Sequence, residues 1–144
     1  MHPFLYLDTS VLVEFLLFGG GFVLKTDSLK KLYASVLAEV EVYRALDRFR
    51  LTNRLTLEDY AEKLKESALL FRNMNLIPMN ELVVERAKSA FSVPIKSLDA
   101  IHVASAAWIR EALESKLVFC TLDHQQALAA TALGFNVESE FRPS

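Results

Sequence analysis

Phe4-Leu5-Tyr6-Leu7-Asp8-Thr9-Ser10 and Leu117-Val118-Phe119-Cys120-Thr121-Leu122-Asp123 follow one plan, an apolar run of strand length that ends on an acid. Each leads into a segment with helical periodicity, residues 11–17 after the first and 125–133 after the second. Thr9 and Ser10 are suited to cap the first of these helices. A charge at the end of a buried strand hardly belongs to the core. It faces the crevice beyond the strand's carboxyl end, where open α/β sheets bind ligands. Asp8 and Asp123 therefore mark one candidate site edge.

Between the two runs the alternation continues. Gly19-Gly20-Gly21 breaks the chain and is the place where mobility is expected. Residues 30–36 read as a second strand and 37–50 as a helix, with Ala38, Val42, Ala45 and Phe49 on one side. Thr56 caps a helix that runs through Leu64, Ala68 and Phe71, and residues 75–79 form a short third strand. A helix over 81–91 stops before Pro94, and 98–113 is an alanine-rich helix with Asp99 in its first turn. Gly134 closes the last helix ahead of a strand at 135–137. This order predicts an α/β fold with a parallel sheet covered on both faces. Without repeats or linkers, residues 1–144 read as a single domain.

A chain of 144 residues, 52% of them apolar, buries a core without needing disulfides or metals to fold. Cys120 has no partner for an internal disulfide and is expected as a buried core thiol, in keeping with a reducing cytoplasm. The N-terminus lacks the basic start and long apolar stretch of a signal peptide. The greasiest region, residues 11–24, is interrupted by Glu14 and three glycines, so a soluble protein without membrane segments is expected. The net charge of −2 argues against wholesale polyanion binding, and contact with nucleic acid would need a local basic patch.

Taken singly, each acid has an ordinary explanation. Asp99 gains ~0.3–1 kcal/mol simply from the positive end of its helix. Glu41 shares a helical face with Ala38 and Ala45, but Glu39 and Glu14 compete for the same role. Gathered in one crevice, carboxylates repel by about 4 kcal/mol for a pair about 4 Å apart at an effective dielectric of about 20, unless protons or a cation neutralise them. Oxygen donors alone suit Mg²⁺ or Mn²⁺. His2, His102 and His124 are scattered without zinc spacing and are expected as packing or helix-end residues.

Leu7-Asp8-Thr9-Ser10, Ser35 with Glu41 six residues on, Leu98-Asp99-Ala100-Ile101-His102-Val103-Ala104 and Thr121-Leu122-Asp123 together resemble the PIN-domain family, in particular its VapC-type toxin ribonucleases. The resemblance runs from Leu5 to Val137. It implies a three-layer α/β/α sandwich with a central parallel sheet of about five strands. It also implies an endoribonuclease in which Asp8, Glu41, Asp99 and Asp123 are the catalytic metal ligands, and it selects Glu41 over Glu39. Asp8, Glu41 and Asp99 would bind the principal Mg²⁺ or Mn²⁺. Asp123 would help hold a second ion or orient water, and Ser10 and Thr121 would support the ligands. Homodimers, an antitoxin partner and a 5′-phosphate product are implied as well, with Phe18, Phe22 or Trp108 available for protein contacts, although core packing is the first expectation for Trp108. Ala38, where many relatives carry threonine, and the unusual stretch 19–24 depart from the pattern. Both bear on substrate preference and the partner groove, and neither removes an acid.

Arg44 and Arg48 follow Glu41 by one and two helical turns, and Lys96 precedes Asp99 by three residues, so all three are candidate RNA phosphate contacts. A phosphoaspartyl phosphatase would need an acid where Ser10 stands, and a metal-dependent adhesion module a serine where Leu12 stands. The remaining alternatives are a non-catalytic RNA- or protein-binding scaffold and a DNA-cutting nuclease. The intact set of acids favours an enzyme, and the preference for RNA rests on the resemblance.

Overall fold

Five short strands, β1 (Phe4–Leu7), β2 (Leu32–Ser35), β3 (Asn75–Ile77), β4 (Leu117–Cys120) and β5 (Asn136–Glu138), form one sheet of order β3-β2-β1-β4-β5. Every pairing is parallel, with Leu5 beside Leu32 on one side of β1 and Val118 on the other. The computed structural model describes residues 4–19 and 31–139. Six helices connect the strands: α1 (Thr9–Phe18), α2 (Val36–Leu51), α3 (Leu57–Asn73), α4 (Glu81–Ala87), α5 (Ser97–Leu113) and α6 (His124–Ala132).

The two-residue period of the strands separates the layers. Leu5, Leu7, Leu32, Ala34, Val118 and Cys120 turn to one face, where α1, α2 and α3 cover them with Val11, Leu12, Leu16, Val42, Leu46 and Phe71. Tyr6, Leu117 and Phe119 turn to the other and meet Val83, Val103, Ala104, Ala107, Ala129 and Ala130 from α4, α5 and α6. The result is the expected α/β/α sandwich. Each large side chain buried this way contributes about 1.5–3 kcal/mol. Four buried alanines, Ala100, Ala104, Ala106 and Ala107, let α5 lie close against the sheet. At the centre of that face Tyr6 stacks on Phe119 with ring centroids 5.1 Å apart.

Several local details differ from the sequence reading. Asp8, rather than Thr9 or Ser10, caps α1 by accepting from the Val11 amide, so Thr9 and Ser10 lie inside the first turn. Helix α4 ends at Ala87 instead of reaching Phe91, because the Ser89 hydroxyl takes the Arg86 carbonyl at 2.6 Å and stops the ladder. Strand β4 stops at Cys120, short of Leu122, and the last strand begins at Asn136. Phe135 is turned inward against Phe119, with the Arg110 guanidinium 3.8 Å from its ring centre. Gly19 closes α1 at φ 72°, a left-handed cap that favours glycine. The remainder of the stretch 19–24, Phe22 included, lies outside the described residues. Among the described residues no helix is long and apolar enough to cross a membrane.

Candidate active site

The sheet's order reverses at β1, with β2 on one side and β4 on the other, and the crevice above their carboxyl ends is the topological switch point. Asp8 leaves β1 there. It is buried, with its backbone amide tied to the Cys120 carbonyl at 3.1 Å. Its Oδ1 accepts from Ser10 Oγ at 2.6 Å and the Val11 amide at 3.2 Å, and its Oδ2 accepts from the Thr121 hydroxyl. Burial pushes the Asp8 carboxyl above the ordinary carboxylate range, and these donors offset only part of that rise.

Glu41 enters from α2, whose cap Ser35 ends β2 and accepts from the Leu37 amide at 3.1 Å. Glu41 Oε1 accepts from Thr9 Oγ1 at 2.7 Å and from His102 Nε2 at 2.8 Å. Burial alone would raise its pKa, but the bonds from His102 and Thr9 prevail and hold the carboxyl below its usual range. Glu39, one of its competitors in the sequence, takes no part in these hydrogen bonds.

Asp99 sits in the first turn of α5, and the loop after β4 brings Asp123 beside it as the cap of α6. One residue joins the pair. Gln126 Nε2 donates to Asp99 Oδ1 at 2.8 Å, and the Gln126 amide donates to Asp123 Oδ1 at 2.8 Å. Burial first, and then the nearby charge of Asp123, raise the Asp99 pKa, with Glu41 adding a smaller push. Thr121 Oγ1 accepts from the Asp123 amide at 3.0 Å while serving Asp8, and Ser10 Oγ accepts from the Leu122 amide at 3.0 Å. Both hydroxyls thereby pin the end of β4 to the end of β1.

Two hollows adjoin the acids. One, of about 660 Å³, is a groove bounded by Thr9, Ser10 and Glu41, with an apolar wall from Val13, Leu37, Val40, Phe49, Leu98 and Leu122 and with Arg44 and Arg48 on its rim. The other, of about 350 Å³, is lined by Lys96, Asp99, Asp123, Gln125, Pro94 and Ile95. Arg44 is exposed and paired with Asp47 at 3.2 Å. The three predicted cations thus divide between the hollows, Arg44 and Arg48 at the first and Lys96 at the second.

The donor set fits a hard divalent cation in its chemistry, since every candidate ligand is a carboxylate and the neighbouring acids raise the pKa of Asp99. Among the described residues, however, no three His, Cys, Asp or Glu side chains are drawn together into a ready cation cage. Their carboxylates are engaged by Ser10, Thr121, Thr9, His102 and Gln126 instead.

His102 and Gln126 were not marked as site residues by the sequence. His102 is a packed core residue, as expected, yet it also touches Glu41, and Gln126 is buried against Asp99. Helical spacing carried a signal for both: each follows a candidate acid by three residues, on the same helical face.

A family model described as PIN domain matches residues 5–132. Ribonuclease VapC47 of Mycobacterium tuberculosis (strain CDC 1551 / Oshkosh) is 29% identical over 101 residues, 70% of this chain and 65% of that protein, so the match spans slightly under two thirds of the relative's length. The crystal structure of PAE2754 from Pyrobaculum aerophilum shares the fold, with a TM-score of 0.62 at 18% identity over 95% of this chain and 92% of that one. With the family pattern matched from β1 into α6, the chain belongs to the PIN domain family.

Proposed function

We propose that this protein is a divalent-metal-dependent endoribonuclease, the toxin of a toxin–antitoxin pair acting in the cytoplasm. The observation that carries the reading is the placement of Asp8, Glu41, Asp99 and Asp123 from four separate elements around the sheet's switch point. The name of the relative Ribonuclease VapC47 supports RNA as substrate.

In this reading Asp8, Glu41 and Asp99 hold the principal Mg²⁺ or Mn²⁺, and Asp123 helps hold a second ion or orients the attacking water. A cation held there would supply a water of lowered pKa and charge stabilisation at the leaving oxygen, and hydrolysis of the phosphodiester would leave a 5′-phosphate. Ser10 and Thr121 fix both oxygens of Asp8, while Thr9 fixes Glu41. Arg44, Arg48 and Lys96 take backbone phosphates, and the groove beside Glu41 receives a segment of an antitoxin. A homodimer is the working assembly.

Cleavage of labelled single-stranded RNA and DNA by wild type and Asp8→Asn, with Mg²⁺, Mn²⁺ or excess chelator, tests the proposal. Metal-dependent cutting of RNA that the variant lacks supports it. Preferential cutting of DNA would reassign the substrate, and equal activity in both proteins would expose a contaminant and leave the scaffold reading in its place.

A further inference from the structure

His102 Nε2 lies 2.8 Å from Glu41 Oε1 and 3.2 Å from Thr9 Oγ1, while its Nδ1 lies 2.9 Å from the Tyr6 hydroxyl. An ionised carboxylate only accepts, so the proton between Glu41 and His102 belongs to Nε2. With the ring proton on Nε2, Nδ1 accepts and the Tyr6 O–H donates to it. Ser35, at the end of β2, caps the helix that carries Glu41.

Tyr6 is fully buried and His102 is 2% exposed. An apolar pair would fill the same space without needing partners. What the polar pair adds is an N–H of fixed direction aimed at one oxygen of Glu41.

We propose that His102, held in one tautomer by Tyr6, is the positioning residue for Glu41, a buried strut running from β1 through α5 to the acid on α2. It sets which way that carboxylate faces before a cation arrives. The inference rests on the metal-nuclease reading above and assigns His102 no contact with RNA.

The test is a titration of Mn²⁺ alone into wild type, His102→Gln, His102→Asn and Tyr6→Phe. RNA cleavage at saturating Mn²⁺ and thermal unfolding of each metal-free protein accompany it. Glutamine carries its amide toward the place of Nε2 and keeps a donor for Glu41, whereas asparagine reaches only the place of Nδ1. His102→Gln is expected within about threefold of wild-type Mn²⁺ affinity and His102→Asn weaker by about tenfold or more, the loss typical of an outer partner of a metal ligand. Tyr6→Phe falls between, and KM for RNA at saturating Mn²⁺ stays unchanged in all three.

Equal Mn²⁺ affinity in wild type, His102→Asn and Tyr6→Phe would overturn the inference and leave the nuclease reading standing. So would losses that are equal in the Gln and Asn variants and track their unfolding temperatures. A wild type that neither binds Mn²⁺ nor cuts RNA would overturn both. If His102→Asn does not fold, Tyr6→Phe decides: weaker Mn²⁺ binding at an unchanged unfolding temperature supports the strut, and unchanged binding removes it.

Discussion

Thr121 donates its hydroxyl to Oδ2 of Asp8, joining the ends of β4 and β1 across 113 residues of sequence. Ser10 donates to the other oxygen, and both hydroxyls accept a backbone amide from the loop after β4. The buried acid is therefore part of a lattice that fixes where Asp123 stands, and the four candidate ligands are mechanically connected even without a cation.

Replacing Thr121 with valine tests that lattice. The shape is kept, but Asp8 Oδ2 and the Asp123 amide each lose a partner, at a cost of about 1–3 kcal/mol for a buried group left unsatisfied. The expected outcome is a metal-free protein that unfolds earlier by about that amount in denaturant titration. RNA cleavage should fall more than Thr121→Ser reduces it, because serine restores the hydroxyl.

Asp8→Asn separates chemistry from stability. It removes a buried charge whose ionised form the fold disfavours, while the amide oxygen still accepts from the Val11 amide to cap α1. Cleavage is expected to be abolished, with the metal-free unfolding temperature equal to wild type or above it. A drop of about 4 °C or more in calorimetry, roughly 1 kcal/mol, would assign Asp8 a structural role instead.

How much of this was legible in the sequence follows from what each signal depends on. Strand ends announced Asp8 and Asp123, because an apolar run that stops at a charge is a local pattern. Glu41 was separable from Glu39 only by resemblance, since what distinguishes it, the donors Thr9 and His102, lies 32 and 61 residues away. Gln126 and Tyr6 read as an ordinary helix residue and an ordinary core aromatic for the same reason: their partners arrive through folding. The short end of α4 depended on Ser89 choosing a turn partner over the helical ladder.

The pH dependence of stability has a definite sign. Asp8 is raised by burial and Asp99 by burial and then Asp123, so the folded state keeps protons that the unfolded chain gives up above the ordinary value of 3.8. Stability contributed by these groups falls as pH rises from there through their raised values. Glu41 is the opposite case: its contribution is present above the ordinary value of 4.5 and is lost as pH falls through its lowered one. The metal-free protein should therefore gain thermal stability from Asp8 and Asp99 as pH is lowered through their raised values toward 3.8, and lose the contribution of Glu41 as pH falls below 4.5. Asp8→Asn should flatten the upper slope, and Mn²⁺, which favours ionised carboxylates, should reverse it. An identical upper slope in wild type and variant would show that Asp8 is not its source.

The three basic residues at the hollows differ in their surroundings. Arg44 already has Asp47 at 3.2 Å, whereas Arg48 and Lys96 line the two hollows with no ion pair among the described residues. A cation that neutralises a phosphate releases counterions, and its removal lowers the salt dependence of binding by about one unit of slope. With an Asp8→Asn background to prevent cutting, Arg48→Ala and Lys96→Ala should each weaken RNA binding and reduce that slope, by fluorescence anisotropy at several salt concentrations. Arg44→Ala should do so less, since part of its charge is spent on Asp47 before RNA arrives. If all three variants keep the wild-type slope, RNA follows a path across neither hollow, and the basic surface that binds it lies elsewhere on the domain.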